Sequence, residues 1–141
     1  MIELTDEMRD LLATAITDGF PVMAASVDVE GQPKLTFYGS THVHSTDQLA
    51  IWVRNPDSGV LHRIAANPRM AFLYINRTAG KAWQFQGRAR VVDDAGETGR
   101  IYDVIPEIEK QQDADRAGRA VIIDVDLVTG RGFEMRRDAS E

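Results

Sequence analysis

Hydrophobic and polar residues alternate through most of the stretch from Pro21 to Val92. The pattern predicts five β-strands, with one short helix inserted before the fourth. The first strand is PVMAASVD, in which Val22, Ala24 and Ser26 alternate with Met23, Ala25 and Val27. A turn at Glu30-Gly31 leads to PKLTFYGSTHV, and a turn near Ser45-Thr46-Asp47 leads to QLAIWVRN. A turn at Ala79-Gly80 joins RMAFLYIN to KAWQFQGRARVV. Gly31 suits the first hairpin because it adopts positive φ at no steric cost. Val60, Leu61, Ile64 and Ala65 recur at helical spacing between Ser58 and Asn67, and Pro68 ends that helix. Strands joined by tight turns with a single helical excursion imply a small antiparallel barrel.

Helical patterns flank this region. Met8, Leu11, Leu12 and Ile16 define a helix over residues 5–18, capped by Thr5 and stopped by Gly19, with Asp6 and Glu7 favoured by the dipole of its first turn. A second helical segment covers 94–112, with Ile101, Val104, Ile105 and Ile108 as its apolar face. Pro106 divides it and suits the first residue of a new helix. Closing strands fall within 120–135: AVIIDVDLV, then a shorter one from Gly132 to Met135. Residues 138–141 read as a frayed tail. The fold class is a β-barrel with flanking helices (α+β), and all 141 residues form one domain.

Composition narrows the function. The net charge is −6, and the isoelectric point of about 5.0 disfavours nucleic acid, whose phosphates call for a basic face. With no cysteine, disulfides, thiolate metal sites and cysteine nucleophiles are excluded. The acidic start MIELTDEMRD lacks the apolar core of a signal peptide, and no apolar run is long enough to span a bilayer. A cytoplasmic location with no membrane partner is expected.

His42 and His44 form an H-x-H pair that could share one strand face and hold a metal. The alternative, two exposed polar residues near a turn, is favoured, and no metal site is expected. Trp52 and Trp83 read as packing or interface residues, the other option being to flank a flat ligand. Phe37, Trp52, Trp83 and Phe85 together exceed what so small a barrel can enclose, which predicts a two-fold interface. Glu107, Glu109, Asp113 and Asp115 read as part of a solvated acidic face. Ser40, Ser45 and Ser58 lie in no nucleophile elbow. Gly130-Arg131-Gly132 opens no helix and so is no dinucleotide fingerprint. No catalytic acid or base is assigned.

Four short motifs in order carry a resemblance: Gly31-Gln32-Pro33 opening strand two, Ser58 opening the short helix, Asn67-Pro68 closing it, and Gln86-Gly87-Arg88-Ala89 in strand five. Over roughly residues 5–130 the chain resembles the pyridoxamine 5′-phosphate oxidase family, whose fold is the FMN-binding split β-barrel. The resemblance implies a homodimer with flavin mononucleotide (FMN) at the subunit interface, or a deazaflavin in its place, and less commonly haem. It also implies two-electron redox of a small organic substrate whose identity the sequence does not give.

The resemblance implies cofactor contacts at Tyr38, Gly39, Ser40 and Ser58, with Arg54 supplying charge at the end of strand three and Arg63, about one turn into the helix, as an additional phosphate ligand. The chain departs from the family pattern in several places. Thr36 stands where an arginine is common, Arg54-Asn55 where a threonine ends strand three, and Ala82 where a glutamine meets the flavin ring. Gly59 and Val60 replace a basic pair. A phosphate dianion needs donors and positive charge, so Arg54 is expected to be its main cation. A non-catalytic cofactor- or ligand-binding protein is the alternative that these replacements leave open.

Overall fold

The alternating pattern becomes one antiparallel sheet, described over residues 1–140 in a computed structural model. Its strands are β1 (Met23–Val27), β2 (Pro33–Phe37), β3 (His42–Ser45), β4 (Gln48–Val53), β5 (Arg69–Asn76), β6 (Lys81–Val91), β7 (Arg119–Gly130) and β8 (Phe133–Arg136). The helices are α1 (Asp6–Ala13), α2 (Ala15–Asp18), α3 (Gly59–Ala66), α4 (Ala95–Val104) and α5 (Glu107–Gln112). Strand order is β2-β1-β5-β6-β7-β4-β3, with β8 paired to β7. β2 and β3 follow each other in the chain yet sit at opposite ends of this order and do not pair. The sheet is therefore a split antiparallel barrel with flanking helices, as expected.

The core follows from the two-residue period. β5 turns Met70, Phe72, Tyr74 and Asn76 inward, and β6 turns Trp83, Phe85, Gly87 and Ala89 inward. Register sets Phe72 opposite Phe85 and Tyr74 opposite Trp83. The Tyr74 and Trp83 rings stack at 5.5 Å, and Phe85 meets Trp83 edge-on. Gly87 lies at a β-bulge against β7. A Cβ there would collide with the Asp124 carbonyl, so the close approach of the two strands requires glycine. β7 is buried on both faces. Val121, Ile123 and Val125 join the barrel core, while Ala120 and Ile122 pack with Ala50, Trp52, Ile101, Tyr102 and Ile105 in a second cluster.

Local signals hold at the helix ends. Thr5 Oγ1 accepts from the Met8 amide at 3.1 Å, and Gly19 closes α2 in the left-handed conformation at φ 84°. Three expectations need correction. The helix predicted over 5–18 is two helices, broken at Thr14. The long second strand is two strands, β2 and β3. Thr41 N–H and Oγ1 both bond back to the Tyr38 carbonyl, and Ser40 Oγ bonds across to the backbone of Trp52, so this segment turns instead of continuing the ladder. Trp52, Trp83 and Phe85 are enclosed within the chain, at 3%, 4% and 0% exposure. Of the expected interface set, only Phe37 faces outward. Among the described residues no helix is long and apolar enough to cross a membrane.

α3, whose buried residues are Val60 and Ile64, packs mainly against β1 and β6. Ile64 is 4% exposed within the barrel core. Ile64→Ala is expected to lower unfolding free energy by about 2–4 kcal/mol through the cavity it leaves. Denaturant unfolding measures this directly, and an unchanged midpoint would contradict the inward placement.

Candidate functional site

Where β2 and β3 part, the chain between them turns at Tyr38–Thr41, the end of β4 passes beneath, and α3 begins alongside. These segments enclose a cavity of about 660 Å³, within the range of small-molecule sites. Tyr38, Gly39, Ser40, Arg54, Ser58 and Arg63 all line it. The six residues singled out in the sequence are thus brought to one place by three separate segments.

Their environments differ. Arg54 is exposed, with one bond from Nη1 to Gln112 Oε1 at 3.3 Å. Arg63 is half-buried and donates from Nε to Ser26 Oγ at 2.7 Å. Ser58 caps α3 by position but makes no side-chain capping bond, so its hydroxyl is not committed to the helix. Ser40 is committed: its Oγ accepts from the Trp52 amide at 2.8 Å and donates to the Trp52 carbonyl at 3.2 Å. It holds the wall in place and offers little to a ligand. Burial pushes the Tyr38 phenol above its ordinary range, opposed by the positive charge of Arg63. Val60 is 1% exposed in the core, so a basic residue there would not face the cavity.

The sequence reading placed a helix after Pro106 but missed that this helix, α5, borders the cavity. Glu109 and Gln112 line the cavity, and the Glu109 carboxylate lies against Gly39, where a Cβ would strike it. The acidic stretch is therefore not merely a solvated face. Asp113, just after α5, accepts from Trp52 Nε1 and the Gly118 amide, both at 2.8 Å, and from the Ala117 amide at 2.9 Å. Partial burial pushes its carboxyl up. The bonds from Trp52, Ala117 and Gly118, with Arg54 nearby, outweigh this and hold it below the usual carboxylate range. The indole N–H of Trp52 and a carboxylate 61 positions later are the only signal for this anchor, and their pairing is not readable from spacing.

The histidines also differ from expectation. His42 is 6% exposed, with Nδ1 on the Ser40 carbonyl at 2.8 Å and no partner for Nε2. Burial pushes its pKa down, the bond to Ser40 pulls it up, and His44 lowers it further; the net shift is downward. His44 Nε2 lies 3.2 Å from Glu97 Oε1. These are not two exposed polar groups near a turn. His42 is walled in, so holding haem through it would require the structure to open. Among the described residues no group of three or more His, Asp or Glu side chains converges as a metal site.

A family model, pyridoxamine 5′-phosphate oxidase, matches residues 4–131. No curated protein matches the chain. Among solved structures, HupZ of Group A Streptococcus superposes with TM-score 0.66 at 20% identity, covering 95% of this chain and 98% of that one. An FMN-binding protein from Syntrophomonas wolfei gives TM-score 0.67 at 7% identity, covering 90% and 88%. A Clostridium acetobutylicum protein related to general stress protein 26, of the pyridoxinephosphate oxidase family, gives 0.64 at 8%, covering 94% and 96%.

Asp113 ties α5 to the cavity wall, which gives a pH-dependent expectation. Asp113→Asn sets an amide N–H₂ against N–H donors and should cost about 1–3 kcal/mol at neutral pH. Because the folded-state pKa is lowered, the wild-type advantage is complete above the ordinary carboxylate value of about 3.9. It fades as pH falls through the folded value. Urea unfolding of both proteins from pH 7 downward should show the gap closing in acid, whereas a pH-independent gap would contradict this account.

Proposed function

The chain belongs to the pyridoxamine 5′-phosphate oxidase family, and we propose that it is an FMN-dependent oxidoreductase acting on a small organic substrate. The observation that carries this reading is the gathering of Tyr38, Gly39, Ser40, Arg54, Ser58 and Arg63 around one cavity. The residues present fit the phosphate end of FMN. Two guanidinium groups and an uncommitted serine hydroxyl meet the dianion's need for charge and donors. When bound, FMN supplies the two-electron chemistry through its isoalloxazine ring. The chain supplies binding and position. Arg54 and Arg63 attract the phosphate, Ser58 donates to it, and the Tyr38 ring forms an apolar wall whose phenol stays protonated at neutral pH. Ser40 and Asp113 keep β4 and α5 in place around the cavity.

The Glu109 carboxylate favours a second reading, a ligand-binding protein without redox turnover. It puts negative charge beside the same cations, and Gly59 and Val60 add none in compensation. Fluorescence titration separates the two readings. Saturable quenching of FMN is expected, and its absence at about 100 μM ligand, a Kd too weak to matter for a resident cofactor, would favour the second. A deazaflavin serves as the parallel arm.

The reading includes a homodimer. Leu35 and Phe37 on β2 are 70% and 53% exposed, and Leu73 and Ile75 on β5 are 41% and 47% exposed. Register sets Met23 of β1 between Phe37 and Leu73, so these residues form one apolar face rather than scattered positions. Phe37 also lines the cavity, so a second copy seated on this face would border the cofactor. Phe37→Asp is expected to give a 15.7 kDa monomer by light scattering, with weaker FMN binding, while wild type gives twice that mass. A wild-type monomer would overturn the dimer.

A further inference from the structure

Two cations line the cavity, but only one is held. The Arg63 side chain runs back along its own helix toward residue 59. Its Nη1 lies 2.8 Å from the place a Cβ on Gly59 would occupy, and its Cζ lies 3.8 Å away. On the other side, Nε donates to the Oγ of Ser26 at 2.7 Å. Ser26 is 3% exposed on β1, the strand on which α3 packs. The guanidinium is thus fixed in plane by a buried hydroxyl and admitted by a missing side chain. With Nε taken, the two terminal nitrogens remain for a bidentate acceptor, the geometry in which arginine binds phosphate best. Arg54 is exposed, with a single 3.3 Å bond to Gln112, and so must be ordered when a ligand arrives.

We propose that Ser26 and Gly59 are positioning residues for Arg63, which makes Arg63 rather than Arg54 the principal phosphate-binding cation of the cavity. This rests on the flavin reading above. Gly59 is exposed at the first position of a helix with ordinary helical backbone, so alanine fits the fold. The atom that a new methyl meets is the far end of a flexible side chain, which yields by moving away. Gly59→Ala therefore displaces the cation without loosening the helix, and alanine's greater helix propensity favours the folded state.

The test compares FMN with riboflavin, the same ring system without the phosphate, by fluorescence titration of wild type, Gly59→Ala, Ser26→Ala, Arg63→Ala and Gly59→Ala/Arg63→Ala, with a thermal melt of each. Arg63→Ala is expected to weaken FMN about ten- to a hundredfold, and each positioning variant about three- to tenfold. Riboflavin affinity should not move in any of them. Gly59→Ala should melt no lower than wild type, and its effect on FMN should vanish in the Arg63→Ala background, since the two act through one group. If wild type binds FMN but Gly59→Ala binds it equally well, or loses riboflavin in parallel, the positioning role is overturned and the flavin reading stands. If wild type binds neither flavin, both are overturned.

Discussion

The structure depends on burying both faces of one long strand. β7 presents Val121, Ile123 and Val125 to the barrel interior, and Ala120 and Ile122 to the cluster under α4. One of its edges pairs with β6 along most of its length, and the other pairs first with β4 and then with β8. A strand apolar on both faces cannot be a sheet surface, so it joins the two parts of the sheet. β6 brings β5, β1 and β2 to one side, and β4 brings β3 to the other. The chain closes this arrangement only at Tyr38–Thr41, where β2 gives way to β3 without pairing to it.

The cavity follows from that incomplete closure. A paired β2 and β3 would consume the backbone groups of the turn and leave no opening. Ser40 substitutes for part of the missing ladder by bridging to both backbone groups of Trp52. Trp52 in turn passes its indole N–H to Asp113, and Asp113 fixes the chain that follows α5. Tyr102 packs edge-on against the same indole at 5.0 Å. One side of the cavity is thereby coupled to the second hydrophobic cluster, across β7 from the barrel core that holds α3 on the other side.

Electrostatically the site is a contest within an acidic protein. The chain carries a net charge of −6, yet two arginines line the cavity, and one of them is locked by a serine from another strand. Glu109 opposes them from α5. Such a balance suits a ligand whose binding is decided by a few oriented donors rather than by the field of the whole surface.

What could be read from the sequence was what a few neighbouring residues decide. The Thr5 cap, the Gly19 stop, the Gly31 turn and the inward alternation of β5 and β6 all arise from sterics and hydrogen bonds within a turn or a pleat. The family resemblance also pointed to the turn at Tyr38–Ser40 and to Ser58, and the need of a phosphate for positive charge pointed to Arg54 and Arg63, which depart from the family pattern but meet around the same cavity. Other features depended on partners far away in sequence. The break between β2 and β3 depends on Ser40 meeting Trp52, the inward turn of Val60 on how α3 seats against the sheet, and the place of Glu109 on Asp113 anchoring α5. The burial of His42 depends likewise on the elements packed around β3. Local periodicity records which side of an element is apolar, but not which element covers it. Only the tertiary structure decided that Arg63 meets Ser26 across 37 positions of chain, because that bond exists only once α3 has docked on β1.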